Sequence, residues 1–303
     1  MDINSKYNTL GESRFVLSAA LTTAVIAISF AAIFIRLSEA PALVIAFYRL
    51  LFTLAILFPH LSMQWKELRF LKTADFSGML ASGIFLAAHF YLWISSLDHS
   101  PVAVAVILVS MHPLLVAAAG HFVLGDAIPR RFFASMLLVL AGTAAIAAES
   151  ASGFAEGSTE LRGALMALGG AAMMAGYILV GRRLRQNLST TVYVSGTYGV
   201  AALLLLLTTL IAGVSLTGYS SREYLLFAAL AVVPTLLGHT VFNWALKKVR
   251  ASLVSLLYLG EPLGATLLAL IILREMPSTF QAFGGLTILI GLYLVIRSGH
   301  SSA

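Results

Sequence analysis

Apolar residues run along this chain in long blocks separated by short polar breaks. A helix needs roughly 20 apolar residues to cross the hydrocarbon core of a bilayer. Cutting the chain at its charged and turn-rich breaks predicts ten such helices. The first five cover residues 15–35, 42–61, 74–97, 102–124 and 132–148. The second five cover residues 163–181, 190–213, 224–246, 252–273 and 280–296. Pro41, Pro101, Pro129 and Pro277 lie in the breaks, where a residue without an N–H suits a helix start or a turn. The first block is too long for a signal-peptide core and lacks a convincing cleavage site, so it is expected to be a retained span.

The distribution of Lys and Arg supports this count. With the N-terminus placed inside, the inner segments hold Lys6 and Arg14; Lys66, Arg69 and Lys72; Arg130 and Arg131; Arg182, Arg183 and Arg185; Lys247, Lys248 and Arg250; and Arg297. The outer segments hold Arg36, Arg162, Arg222 and Arg274, and Arg49 lies within a span. Every alternation agrees with the positive-inside rule, which predicts ten spans with both termini cytoplasmic. A missed or extra span would reverse the bias from that point on.

Composition adds the class. Hydrophobic residues make up 59% and charged residues 11% of the 303 residues, with mean hydropathy +0.94. Soluble domains carry about 25% charged residues, because their surface faces water. An all-α integral membrane protein in the cell (inner or plasma) membrane, with the lipid bilayer as its main partner, is therefore expected. The net charge of +6 does not indicate a nucleic-acid partner, because the cations come in twos and threes between apolar runs rather than on one face. There is no cysteine, so disulfides and thiolate chemistry are excluded.

The longest outer break divides the chain into a first repeat at residues 1–148, a linker at 149–162 and a second repeat at 163–303. At a shift of 149 residues, Leu97 falls on Leu246, Pro113 on Pro262, Gly125-Asp126 on Arg274-Glu275, and Gly142 on Gly291. Because each half has an odd number of spans, the second enters the membrane with opposite polarity. Such inverted repeats are the physical basis of alternating access around a midplane site. A secondary transporter of a small-molecule substrate is the function this pattern favours.

These motifs also carry a resemblance. His112-Pro113-Leu114 with Leu124-Gly125-Asp126 pairs with Glu261-Pro262-Leu263 and Leu273-Arg274-Glu275, each followed by a helix with an interior glycine, Gly142 or Gly291. Phe47-Tyr48-Arg49 adds an arginine in the second span. Over nearly its whole length the chain resembles the drug/metabolite transporter (DMT) superfamily in its EamA-type, ten-span branch. Asp126 stands where the family usually has glutamate. The resemblance implies export or exchange of amino acids, related metabolites or amphiphilic compounds through a cavity lined by both halves.

Polar groups within the spans are the candidates for chemistry, since a mid-helix charge costs roughly 2.5–3.5 kcal/mol on insertion scales. Glu261 precedes Pro262, and its repeat mate His112 precedes Pro113. Each proline frees a carbonyl four residues back, at Tyr258 and Val109. Glu261 and His112 either line the cavity, binding a substrate amine or cycling a proton, or are neutral packing residues at helix bends. Arg49 either forks onto a substrate carboxylate, acts as counter-ion to Glu261, or ties two helices together through carbonyls. Phe85, His89 and Trp93 share one helical face, and the matching stripe is Pro234, Gly238 and Phe242, with His239 and Asn243 alongside. These stripes suit stacking on a flat substrate or ordinary packing, and Trp93 also suits an interfacial anchor. Ser29, Tyr177, Ser255 and Tyr258 are further hydroxyl candidates.

The zincin H-E-x-x-H, G-x-S-x-G, P-loop and G-x-G-x-x-G signatures are absent from the sequence. No enzyme activity, cofactor or metal is therefore expected, and transport would be driven by a solute gradient or a coupling ion, a proton being the simplest. A phosphorylated-sugar exchanger would want two or more cavity cations, and only Arg49 is at midplane. An intramembrane enzyme would want a carboxylate or nucleophile–base pair, and a sensor would want a soluble signalling domain.

Overall fold

The computed structural model describes residues 3–124, 134–135, 137–142, 145, 159–248, 254, 257–258 and 260–298, with side chains outside 3–15, 117, 120–124, 160, 292 and 295–298. Among the described residues all regular structure is helical. In the first half these are α1 (Ile3–Ser29), α2 (Ala31–Arg36), α3 (Ala42–Ser62), α4 (Trp65–Arg69), α5 (Thr73–Leu97), α6 (Val102–Val109) and α7 (His112–Leu124). The second half has α8 (Thr159–Leu184), α9 (Thr190–Ile211), α10 (Ser221–Leu230), α11 (Val241–Ala245), α12 (Gly260–Leu268) and α13 (Thr279–Ser298). Two π-helical segments, Ala231–Thr240 and Ala269–Leu273, continue α10 and α12.

Six helices are long and apolar enough to cross a membrane, and three shorter apolar helices accompany them, at Val102–Val116, Gly260–Leu273 and Thr279–Gly291. The chain is thus a multi-pass membrane protein. The expected span 132–148 falls partly outside the described residues; those described in it are helical. Residues Gly125 and Asp126 lie outside them, as does Ser255.

Interruptions within the predicted spans follow from local chemistry. The fourth span breaks at Ser110 and Met111, just ahead of Pro113, whose ring and missing N–H forbid a regular turn there. In the eighth span Pro234 leaves the Leu230 carbonyl without its usual donor. The backbone widens into a π segment, and the Thr235 hydroxyl donates to Leu230 O at 2.7 Å. Such insertions concentrate at functional sites, and the periodicity alone did not predict this one.

Packing is dominated by contacts between the halves. α5 lies along α8 and α9, α3 along α9, and α1 along the Ala231–Thr240 segment and α12. These pairings are reciprocal under the 149-residue shift: α5 on α8 corresponds to the Ala231–Thr240 segment on α1. The glycines repeat the relation atom by atom. A Cβ on Gly142 would sit 2.5 Å from Gly284 O and 2.7 Å from Ile288, and one on Gly291 would sit 2.9 Å from both Ser135 O and Val139. Ser135 and Val139 are the repeat mates of Gly284 and Ile288. This is the signature of a two-fold contact, in which residue i meets j and j meets i. Small residues let membrane helices approach closely where apolar packing has no advantage over lipid. Large apolar side chains such as Leu165, Ile271 and Phe283 point outward, as a lipid-facing surface requires.

A buried polar cluster between the halves

The candidate residues converge. α3 supplies Arg49; α5 supplies His89, Phe90 and Trp93; the start of α7 supplies His112. From the second half come Tyr177 on α8, His239 on the π segment, Phe242 and Asn243 on α11, Tyr258, and Glu261 at the start of α12. Exposure ranges from 0% at Arg49 to 9% at Glu261, so the cluster is screened from both ends of the bundle.

Arg49 is held at one atom and free at two. Its Nε donates to Thr235 Oγ1 at 3.0 Å, and its guanidinium carbon lies 4.1 Å from the centre of the Phe90 ring. Its two terminal nitrogens are buried without a hydrogen-bond partner. Arg49 thus ties α3 to the Ala231–Thr240 segment, through a hydroxyl rather than through carbonyls. A desolvated cation over an aromatic face gains about 2 kcal/mol, while each unmade buried hydrogen bond costs roughly 1–3 kcal/mol. Two parallel donors in a fixed fork match the geometry of a carboxylate.

The two proline-freed carbonyls are both used locally. His112 Nδ1 donates to Val109 O at 3.2 Å. A carbonyl only accepts, so this network assigns the proton to Nδ1 and leaves Nε2 as a bare acceptor, buried without a partner. The Glu261 N–H donates to Tyr258 O at 3.0 Å. Glu261 and Arg49 form no ion pair: Arg36–Glu275 is the only one within contact distance among the described residues. The Glu261 carboxyl, an acceptor, and the Arg49 fork, a double donor, thus belong to one buried cluster without touching each other.

Imidazoles and aromatic rings make up the rest of the cluster. His89 Nδ1 bonds Gly170 O at 2.9 Å and its ring stacks on Trp93 at 6.1 Å between centres. His239 Nδ1 lies 3.3 Å from Tyr258 Oη, and the Tyr258 ring stands edge-on to His112 at 5.1 Å and stacks on Phe242 at 4.2 Å. Asn243 Nδ2 donates to Tyr177 Oη at 2.6 Å and to His239 O at 2.9 Å. Trp93 is 2% exposed, which removes the interfacial-anchor reading. Phe85 packs on Gly176 and is not part of the ring cluster, although it shares a face with His89 and Trp93.

Two ends of the bundle carry cross-half fastenings. At one end Glu275 accepts from Arg36 at 2.7 Å and from the Val102 N–H at 3.0 Å, while Arg36 also donates to Leu97 O. Beside it Glu223 accepts from the Ser38 hydroxyl and from the Glu39 N–H. At the other end Glu67 accepts from the Ser189 N–H at 2.6 Å, while buried Arg185 ties the second half to itself, donating to Asn243 O, Leu188 O and Thr190 Oγ1. α3, with 21 residues, separates the two ends by about 30 Å.

Sequence reasoning singled out seven site residues, Arg49, His89, Trp93, His112, Asn243, Tyr258 and Glu261, and all fall in this cluster. It missed Phe90, because an aromatic beside a histidine has no periodic signal of its own. It also missed Thr235, whose position depends on the π segment, and it gave His239 only a flanking place.

The EamA-like transporter family model matches the chain twice, at residues 14–148 and 161–297. No curated protein matches. A solved crystal structure of a protein aligns with 94% of this chain and 98% of its own length at TM-score 0.69 and 20% sequence identity, a likeness of fold. The two matches together span the chain in the same two-part division as the cross-half packing, and the chain belongs to the EamA-like transporter family, of the drug/metabolite transporter superfamily.

Proposed function

We propose that the chain is a secondary transporter that exports an amino-acid-like or amphiphilic metabolite by alternating access between two inverted five-helix repeats, with both termini cytoplasmic. The observation that carries this reading is the burial, in one cross-half cluster, of an unpartnered Arg49 fork and the Glu261 carboxyl. A zwitterion satisfies both: its carboxylate accepts from the two free nitrogens of Arg49, and its ammonium lies toward Glu261. His112 Nε2 offers a second acceptor on the ammonium side, and Phe90, Trp93, Phe242 and Tyr258 provide surfaces for an apolar side chain. Phosphorylated sugars fit less well, because Arg49 is the single Lys or Arg among the cluster residues.

Glu261, with His112, His89 and His239 around it, is suited to exchange a coupling proton for the bound ammonium. The fastenings at the two ends act as the gates: releasing Glu275 and Glu223 opens one end, and releasing Glu67 opens the other. Thermal stabilisation of the purified protein by a panel of amino acids, organic cations and sugar phosphates tests the substrate class. A solute at a hundredfold excess over its dissociation constant stabilises by about 2.7 kcal/mol, and Arg49→Lys abolishes that shift for zwitterions. Stabilisation by sugar phosphates alone would overturn the reading.

A further inference from the structure

We propose that the end of the bundle centred on α4 is a docking surface for the phosphodiester headgroups of anionic phospholipids. α4 joins α3 to α5 and has no buried residue. Lys66, Arg69, Lys72, Arg183, Lys247 and Lys248 are all exposed around it. They belong to one face, because Glu67 reaches the Ser189 N–H and Arg185 reaches Asn243 O, which draws the ends of α8 and α11 beside α4.

The local carboxylates, Glu67 and Asp75, are outnumbered by these six cations and form no ion pair with them; Glu67 accepts from the Ser189 N–H and Asp75 from the Lys72 N–H that it caps. The opposite end differs: its Arg36 is paired with Glu275, and Glu223 faces it across the Ser38 loop. Clusters of four to eight cations next to membrane spans attract anionic lipid surfaces, at about 1 kcal/mol for each Lys or Arg near the surface.

The occupant is a lipid rather than a soluble anion because apolar side chains accompany the charge. Met63, Trp65 and Phe70 are 81%, 59% and 82% exposed beside these cations. An aromatic and cationic short helix at the end of a span matches the boundary between headgroups and acyl chains. Arg69 lies over the Trp65 ring, at 5.3 Å, so the ring at the boundary and the charge at headgroup level are presented together. Since Glu67 sits on α4, a bound headgroup also steadies the loop whose carboxylate fastens this end to Ser189.

The test uses the full chain in phosphatidylcholine nanodiscs with and without phosphatidylglycerol, reading lipid retention by native mass spectrometry and melting temperature. Phosphatidylglycerol should be retained and should raise the melting temperature, and the triple variant Lys66→Gln, Arg69→Gln, Lys72→Gln should lose affinity by roughly 100-fold. Trp65→Ala with Phe70→Ala, charges intact, should weaken retention several-fold without changing its salt dependence. Arg222→Gln, at the opposite end, should behave as the parent. The proposal is overturned if the triple variant retains phosphatidylglycerol like the parent, or if inorganic phosphate or phosphatidylcholine alone gives the same stabilisation.

Discussion

Arg49 of the first half donates through Nε to the Thr235 hydroxyl of the second, at 3.0 Å. That hydroxyl is available only because Pro234 opens a π segment, in which Thr235 turns its proton onto Leu230 O and its lone pairs toward the arginine. One bond thus anchors the guanidinium and leaves its two terminal nitrogens buried without partners. Thr235→Val, isosteric but unable to accept, should raise KM by about 10- to 100-fold with a smaller change in kcat, and Thr235→Ser should restore it. The estimate follows from the 1.5–3 kcal/mol that a hydrogen bond to a charged group contributes. Steady-state transport in proteoliposomes measures it; an equal loss in both parameters, or no rescue by serine, would exclude a positioning role.

The paired glycines allow a test of two-fold architecture that does not depend on transport. Gly142→Ala and Gly291→Ala each press a methyl group into the opposing backbone, and overpacking of this kind costs about 1–3 kcal/mol. The two losses should be similar because the contacts are repeat mates. Gly199, inside α9, has nothing within 4 Å of its Cβ position, so Gly199→Ala should be neutral or stabilising by up to ~1 kcal/mol. Melting in detergent compares all three, and a tolerant Gly142 beside a sensitive Gly291 would contradict the pairing.

Arg274 offers a prediction of the opposite sign. It adopts φ 58°, in the left-handed region, at the end of the second π segment. Its repeat mate in the sequence is Gly125, the residue type that tolerates this conformation at a helix C-terminus. Arg274→Gly should relieve about 1 kcal/mol of strain and raise the melting temperature by a few degrees, whereas Arg274→Val should lower it.

The gates are addressed most simply because the chain has no cysteine. A single Ser110→Cys, at the break ahead of His112 and buried, reports access to the cluster. Adding Glu275→Ala should raise its labelling by a membrane-impermeant maleimide from the Arg36 end, and Glu67→Ala should raise it from the other end. Equal labelling from both ends in either variant would show that these carboxylates are not end-specific fastenings.

How much of this was legible in the sequence depends on the range of the interaction concerned. Helical segments and the repeat were legible because burial in lipid writes itself as block hydropathy and because two copies of one solution share landmarks such as Gly142 and Gly291. The residues of the buried cluster were legible because charge and imidazole within an apolar span are costly and so stand out. What the sequence hid were relations set by geometry. Thr235 looks like any membrane threonine until the π segment turns it toward Arg49. Phe85 and His89 share a helical face, yet only His89 meets the second half's rings, because Gly176 receives Phe85. The fastening carboxylates Glu67, Glu223 and Glu275 read as loop charges until the bundle places backbone N–H groups opposite them.

The central claim is that a zwitterion bound by Arg49 and Glu261 competes with a proton for the Glu261 carboxyl, and proton-coupled flux in proteoliposomes loaded with the stabilising solute measures it most directly. The parent should show transport that rises and falls with an imposed pH gradient, while Glu261→Gln, folded and equally stable, should lose net flux and its response to that gradient. A Glu261→Gln protein that transports with the parent's pH dependence would contradict the account.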